Sequence, residues 1–593
     1  MRWQNRFSAA LLVAASAVAL WPAIAQRAPE SILPPGFGQE PASNSTAQPE
    51  RPARPATDLI PDVKLNVPGA SNQSDVIGDL IEDTSNNMAT ALVAPVDLPE
   101  DLRRSLDRVG LMTPADGALP PNAFGKTDGR FLSTLLSRTN APLASRWAQI
   151  LLRRTLLSPS DIPPGIGGAD WVAERAWLLL RMGEADMARA LIARVDAVNF
   201  TPRLYEVAMQ AALATGDPAS LCAIATPAAS ISEEPSWPLA QAMCAALAGE
   251  SGTASALVDR VRDTRAASGI DVLLAEKVVG AATNTRRSVS IQWDGVDKLD
   301  SWRFGLAVAT GVTIPPKLFS TVGPQVQAWH ARAPLIAPAA RANSAELATA
   351  MGVMSSAALV DFYADLWNSA DPAERSGSVG ELLRTAFSGN DDASRLAAMR
   401  TLWSVDSPAM AYARQIMTAR AAVTLPVVSG SDDDAIIASL MSAGLDIQAA
   451  RWAGKIGSGT VGWAQLAVGS PRPIAGIDAS AVRSVPGGED DRRIKFLLAG
   501  LAGLGRLPTD GINQLAESYA VPLGRANSWT RAIDRAALAG EPASVVVLAA
   551  AGMQTREWRY VPPEYLYHIV AALRRVGLEP EARMIAAEAL ARA

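Results

Sequence analysis

The chain has 593 residues, 49% of them hydrophobic and 19% charged, with a formal net charge of −5. That length allows several domains or one extended repeat array, and the mildly acidic balance lacks the clustered Lys and Arg of a nucleic-acid footprint, which excludes nucleic acid as a partner. A zinc site built from histidine and cysteine would need all of the two histidines and two cysteines, which nearly excludes one.

Taken from its start, the chain opens with Arg2 and Arg6, an apolar run from Ser8 to Leu20, and the small-residue triplet Ala23-Ile24-Ala25 before Gln26. This is the layout of a secretory signal peptide over residues 1–25, cleaved after Ala25. The alternative is a retained anchor, but the apolar run is shorter than the ~20 residues a span requires. No cysteine near the cleavage site invites lipidation. The expected location is periplasmic, with no integral membrane segment in the mature chain.

Residues 26–98 are dominated by Pro, Ser, Asn, Gln and Ala, a composition that cannot bury enough apolar area to order itself and predicts a disordered linker. Ile32, Leu33 and Phe37 form an apolar island within it. They are candidates for a short docking motif, against the alternative of plain linker composition. Asp75 to Glu82 has the pattern of a short helix. Ordered structure is expected from residue 99, with a strong helix over Ala141 to Leu157 and a Pro-Pro-Gly loop at Pro163 to Gly165.

From Trp171 the pattern becomes periodic. Gly183, Gly216 and Gly249 recur at steps of 33 residues, each between two alanine-rich apolar runs. Glycine suits such a break because helices often end on a left-handed residue, a conformation that is strained for any side chain with a Cβ. Leu191, Ile224 and Leu257 stand eight residues after the glycines and should face inward. Trp171, Trp177 and Trp237 should wedge between helix pairs. The helix, Gly, helix, Ala pattern resembles tetratricopeptide-like repeats, although the consensus Trp and Tyr positions are not kept. The resemblance implies an all-α fold: a right-handed α-solenoid of helix-turn-helix repeats after a disordered N-terminal arm. On this plan residues 99–265 are N-terminal repeats, 266–428 a middle helical section, and 429–593 C-terminal repeats, where Gly505, Gly540 and Gly577 restore a similar spacing.

The repeat also predicts neighbours. Cys222 and Cys244 fall on consecutive antiparallel helices, equally far from the turn around Glu233, which places them for a disulfide in a compartment that permits one. Two buried thiols are the alternative.

In the middle section, Val272 to Val279, Trp302 to Ala309, Ala345 to Trp367, Val379 to Phe387 and Ala393 to Trp403 carry helical spacing, and Ser288 to Trp293 reads as a strand or an extended connector. Three acidic runs, at Asn390 to Asp392, Asp432 to Asp434 and Glu489 to Asp491, precede apolar helical stretches. They read as helix caps, since no EF-hand spacing follows.

The search for chemistry returns no catalytic residue, no cofactor and no metal site. His330 and His568 are far apart, each in a helical setting, and read as structural. Gly457-Ser458-Gly459-Thr460-Val461-Gly462 matches a dinucleotide-binding fingerprint, but a helix expected from Ala435 to Ile456, rather than a strand, precedes it, so it reads as a loop. The 15 tryptophans exceed the 10 Phe and 7 Tyr. Most suit packing, while Trp558, Tyr560, Tyr565 and Tyr567 are candidates for a recognition surface, with capping of the last repeat as the alternative. The expectation is a non-enzymatic periplasmic scaffold or adaptor that binds protein partners of unknown identity. The rival is a glycan- or peptidoglycan-binding superhelix similar in shape to lytic transglycosylase solenoids but without their catalytic domain.

Overall fold

The computed structural model describes residues 99, 102–267, 269–283 and 289–593. Among the described residues the secondary structure is helical throughout, with no strand. The expected signal segment and arm, and with them Ile32, Leu33, Phe37 and Asp75 to Glu82, lie outside the described residues.

The N-terminal helices are α1 (Gly129–Arg138), α2 (Arg146–Leu157), α3 (Gly168–Arg181), α4 (Ala185–Ile192), α5 (Pro202–Ala214), α6 (Ala225–Ile231), α7 (Ser236–Leu247) and α8 (Ser251–Asp263). The predicted helix from Ala141 starts five residues later. Pro142 disfavours helix in the residue before it, and Ser145 takes the N-cap position, its Oγ accepting from Ala148 N. The glycine turns are as expected: φ is +89° at Gly183, +62° at Gly216 and +86° at Gly249. At Gly183 the turn is closed by Gly183 N donating to Leu180 O and Glu184 N to Leu179 O, the paired bonds that satisfy the last carbonyls of a helix. The same pair of bonds recurs at Gly216, Gly249, Gly505, Gly540 and Gly577.

Two expectations here need adjusting. The run after Gly216 is a 3-10 turn, Pro218–Leu221, followed by the short α6, so Cys222 sits at the end of that turn rather than early in a helix. Leu191 and Ile224 are buried, but Leu257 is only half-buried, and Ala254 and Val258 supply the inward face of α8. Trp171 and Trp237 are buried edge-on to Phe124 and Tyr205.

The middle helices are α9 (Ile270–Ala282), α10 (Ser301–Ala309), α11 (Pro324–Ala331), α12 (Pro338–Met351), α13 (Ser356–Ser369), α14 (Pro372–Arg375), α15 (Val379–Ser388), α16 (Asp392–Trp403) and α17 (Pro408–Val423). The stretch predicted as one helix from Ala345 to Trp367 is two, because Gly352 at φ +93° ends α12. Residues 289–293 form a connector, with Trp293 Nε1 donating to Thr313 O at 3.1 Å.

The C-terminal helices are α18 (Asp433–Ser442), α19 (Asp446–Ala449), α20 (Val461–Gly469), α21 (Ala479–Arg483), α22 (Arg492–Leu504), α23 (Thr509–Ser518), α24 (Ser528–Leu538), α25 (Pro542–Gly552), α26 (Pro563–Arg575) and α27 (Glu579–Ala591). Gly444, at φ +75°, breaks the helix expected from Ala435 to Ile456.

Packing is not confined to consecutive helices. The N-terminal α2 lies against α25 and α27 from the other end of the sequence, and α1 also touches α25. Ala144 N donates to Met553 O, and Ala543 N to Ala123 O, both at 3.0 Å. One apolar core is accordingly shared by residues from 109–336 and from 463–590, while two smaller cores hold 328–417 and 386–466 together with Met584. Among the described residues no helix is long and apolar enough to cross a membrane.

Candidate functional site

The residues singled out by sequence separate into those that hold the body together and those left at its surface. Cys222 and Cys244 are joined by a disulfide with Cα atoms 5.3 Å apart, as the repeat geometry requires; the bond fits an oxidising compartment. The aromatic group near the C-terminus is not a surface cluster. Trp558 is buried edge-on to Phe496 with ring centres 5.7 Å apart, and Tyr565 is buried, stacked on Trp529 at 4.2 Å. Tyr567 is half-buried, which leaves Tyr560 as the exposed ring of the four, at 63%. Large aromatic rings fill the gaps between small alanine-rich helices, and Trp558 and Tyr565 are taken up in that packing.

The two histidines are buried and apart. His330 Nδ1 lies 2.9 Å from Ser344 Oγ, and burial holds its imidazole down to about 4. His568 Nδ1 is 3.0 Å from Asp534 Oδ1. The first acidic run caps a helix and the second braces its neighbours, whereas Glu489 to Asp491 makes no side-chain cap at its helix start. Asp391 accepts from Ser394 N, Asp432 pairs with Arg400, and Asp434 Oδ1 accepts from Gly462 N at 2.7 Å. That last contact puts a carboxylate at the start of α20, where a phosphate would have to sit for the glycine-rich loop to bind a nucleotide.

Sequence reasoning missed a buried charged junction where α2 meets the C-terminal helix. Glu588 on α27 accepts from Ser145 Oγ at 2.6 Å, Arg146 N at 2.9 Å and Trp147 N at 3.2 Å, and from Arg592 Nη1 at 2.7 Å. A carboxylate on free amides at a helix start also complements the helix dipole. Beside it, buried Arg146 donates to Thr349 O near the end of α12 and to Ser442 O at the end of α18. Arg175, fully buried, donates to Val109, Leu156 and Ser158 carbonyls, and desolvation lowers it to about 9. Arg506 donates to Ala467, Val468 and Ser470 carbonyls at the end of α20, and Arg583 reaches Gly469 O and Asp446. A planar guanidinium with five donors matches several orphan carbonyls at the negative end of a helix. These groups are structural: each is consumed by helix ends.

The chain matches no protein-family model, no curated protein and no solved structure.

One concavity is left with its chemistry unspent. Helices α13 and α15 start on serine caps, Ser355 Oγ accepting from Ala358 N and Ser378 Oγ from Glu381 N, and lie side by side. Val360, Ala364 and Trp367 from α13, at i, i+4 and i+7, face Gly380, Leu383, Arg384 and Phe387 from α15 across a groove of about 300 Å³. A Cβ at Gly380 would stand 2.6 Å from Trp367 Cβ, so the close approach of the two helices depends on glycine there. Phe387 is 39% exposed. Arg375 and Arg384 lie against the Trp367 ring, 4.7 and 4.9 Å from its centre, within cation–π range. The Trp367 indole N–H is covered yet donates to nothing. Asp361 and Asp365 are exposed alongside, on α13. A second cleft of about 270 Å³, between α8 and α9, carries Glu276, but Arg262 already holds that carboxylate at 2.6 Å.

Proposed function

We propose that the protein is a non-catalytic, periplasmic helical-repeat scaffold that binds other proteins. On this reading the helix pairs are tetratricopeptide-like units wound as a right-handed α-solenoid whose first and last pairs meet, carried on the N-terminal arm and exported by the segment cleaved after Ala25. The observation that carries the reading is the groove between α13 and α15, where an apolar stripe and an exposed Phe387 lie together on an all-helical body. Interfaces draw on such features: aromatic and Arg anchors in a largely apolar pocket. A sugar would stack on an open aromatic face, and the Trp367 ring is already engaged by two guanidinium groups; this favours protein over glycan.

In-cell crosslinking followed by purification of the full-length protein tests the reading. Reproducible recovery of the same protein partners is expected. Recovery of none, or retention on purified peptidoglycan reversed by free glycan, overturns it. Fractionation with N-terminal sequencing tests the location, with a mature chain beginning at Gln26 as the expected result.

A further inference from the structure

We propose that the groove between α13 and α15 receives one amphipathic helix of a partner protein, with its apolar face inward, basic residues along one flank and acidic residues along the other. The proposal rests on the scaffold reading and gives its partner a chemistry.

The helical form of the occupant follows from the lining. Two adjacent helices present apolar side chains at i, i+4 and i+7 (Val360, Ala364 and Trp367) and at i and i+4 (Leu383 and Phe387), with Gly380 at their close approach, a spacing into which the side-chain ridges of a third helix fit. An added β-strand would need a sheet edge, and the described residues contain no strand. A polyproline segment needs a row of open aromatic rings, whereas this groove has a single Trp, already stacked.

The flanks follow from the rims. Asp361 and Asp365 stand exposed on the α13 side, and Arg384 on the α15 side, where among the described residues its guanidinium lies against Trp367 and pairs with no carboxylate. Arg375 is tied to Asn368 and Ala370 carbonyls, so Arg384 is the cation free to meet a partner carboxylate. Opposite charges on the two rims also fix the direction in which a helix can lie, because reversing it would oppose like charges.

The test uses the full-length protein and a fluorescent amphipathic peptide of about 18 residues, long enough for five helical turns. It carries Leu and Phe at i, i+3, i+4 and i+7, Lys along one flank and Glu along the other, and a composition-matched scramble serves as control. Phe387→Ala, Ala364→Glu and Arg384→Glu alter half-exposed or exposed positions, so folding is retained and is checked by circular dichroism. Anisotropy titrations should show saturable binding of the patterned peptide and not of the scramble. Phe387→Ala and Ala364→Glu should weaken it on the order of tenfold or more, and a peptide with Lys in place of Glu should restore binding to Arg384→Glu. Equal binding of the scramble, unchanged affinity in all three variants, or self-association of the wild type that these variants abolish would overturn the proposal, the last by making a second copy the occupant. If crosslinked partners are recovered equally by wild type and variants, the groove assignment falls while the scaffold reading stands. Patterned binding without recoverable partners would do the reverse.

Discussion

Two regions of this molecule solve the same problem in opposite ways. At the ends of α3, α5 and α7 the helix is sealed by its own sequence: a glycine turns left-handed, and its amide and the next one return to the last carbonyls. Around α2, the ends are sealed from far away. Glu588 caps the start of α2 from 441 to 443 residues along the chain, and Arg146 closes the ends of α12 and α18 from 203 and 296 residues away. A local seal costs little and forms as the helix forms. A distant seal exists only when the whole body is assembled, and each buried charge in it depends on its partner. The difference sorts the molecule into pieces that tolerate change and a junction that does not.

The contrast is broken most directly at Glu588. Replacing it by alanine leaves buried Ser145, two α2 amides and Arg592 without their acceptor, and removing one partner of a buried charged network typically costs 3–5 kcal/mol. Glu588→Ala should therefore lower the stability read from denaturant unfolding by about that much. Glu588→Gln, which keeps an acceptor, should lose about half as much. A loss under ~1 kcal/mol in the alanine variant would mean that the junction is not the keystone described.

The Cys222–Cys244 bond belongs to the other region, since it closes a loop with a sequence separation of only 22. A cross-link of that span contributes about 3 kcal/mol by the chain-entropy account. Alkylation under denaturing conditions should modify no thiol before reduction and two after it, read by mass spectrometry. Reduction, or Cys222→Ser with Cys244→Ser, should destabilise α6 to α8 first, seen as faster amide exchange there than around α2. Uniform loss of protection across the chain would remove the distinction between the two regions.

How much of this was legible in the sequence follows the same division. The glycine turns, the disulfide and most helices are local, so a 33-residue period and helical spacing reveal them. The junction is not local, and its members look ordinary in isolation, since arginine in a helical stretch reads as outward-facing. A faint signal did exist. Arg175 stands four residues after Trp171, so the two share a face, and its guanidinium lies 5.6 Å from the Trp171 ring centre. Glu588 likewise follows the buried Met584 and Ile585 by four and three residues. A charge placed on an inward stripe announces a buried partner without naming it. The aromatic group from Trp558 to Tyr567 misled for the converse reason: proximity in sequence says nothing about which rings a helix turns inward. The α13/α15 groove was also out of reach, because the two stripes that form it lie on separate helices and only packing joins them.

Acid offers a milder way to compare the regions, through His330 on α11. Above pH 6.5 the imidazole is neutral in both the folded and unfolded chain. As pH falls from 6.5 towards 4 the unfolded chain takes up a proton that the folded protein, with this group held at about 4 by burial and by Arg341 nearby, refuses. Stability should therefore decline across that window by on the order of 2–3 kcal/mol. The decline should be missing from His330→Gln, so the difference between the two pH–stability curves isolates it. Parallel curves would show that the histidine is solvated rather than enclosed by Ser344 and Phe319.

The smallest effects test whether a local seal is local in fact. Gly183 and Gly249 have nearly the same backbone, φ +89° and +86°, and the same pair of closing bonds. Their surroundings differ. A Cβ on Gly249 would meet nothing within 4 Å, whereas one on Gly183 would lie 2.7 Å from Ala328 Cβ and 3.3 Å from Val353 Cγ2, on a segment about 145 residues or more away in sequence. Gly249→Ala should thus cost only the left-handed strain of a side chain, about 1 kcal/mol. Gly183→Ala should cost that strain plus the displacement of α11, roughly 2 kcal/mol in all. The comparison is made by denaturant midpoints at constant slope. If the two variants lose equal stability, the Gly183 turn and α11 are not packed as described, and this turn is sealed by glycine alone. If Gly183→Ala loses more, and relaxing the contact with Val353→Ala recovers part of that excess, the glycine has two separable tasks: it turns the chain, and it leaves room for a helix that arrives much later in the sequence.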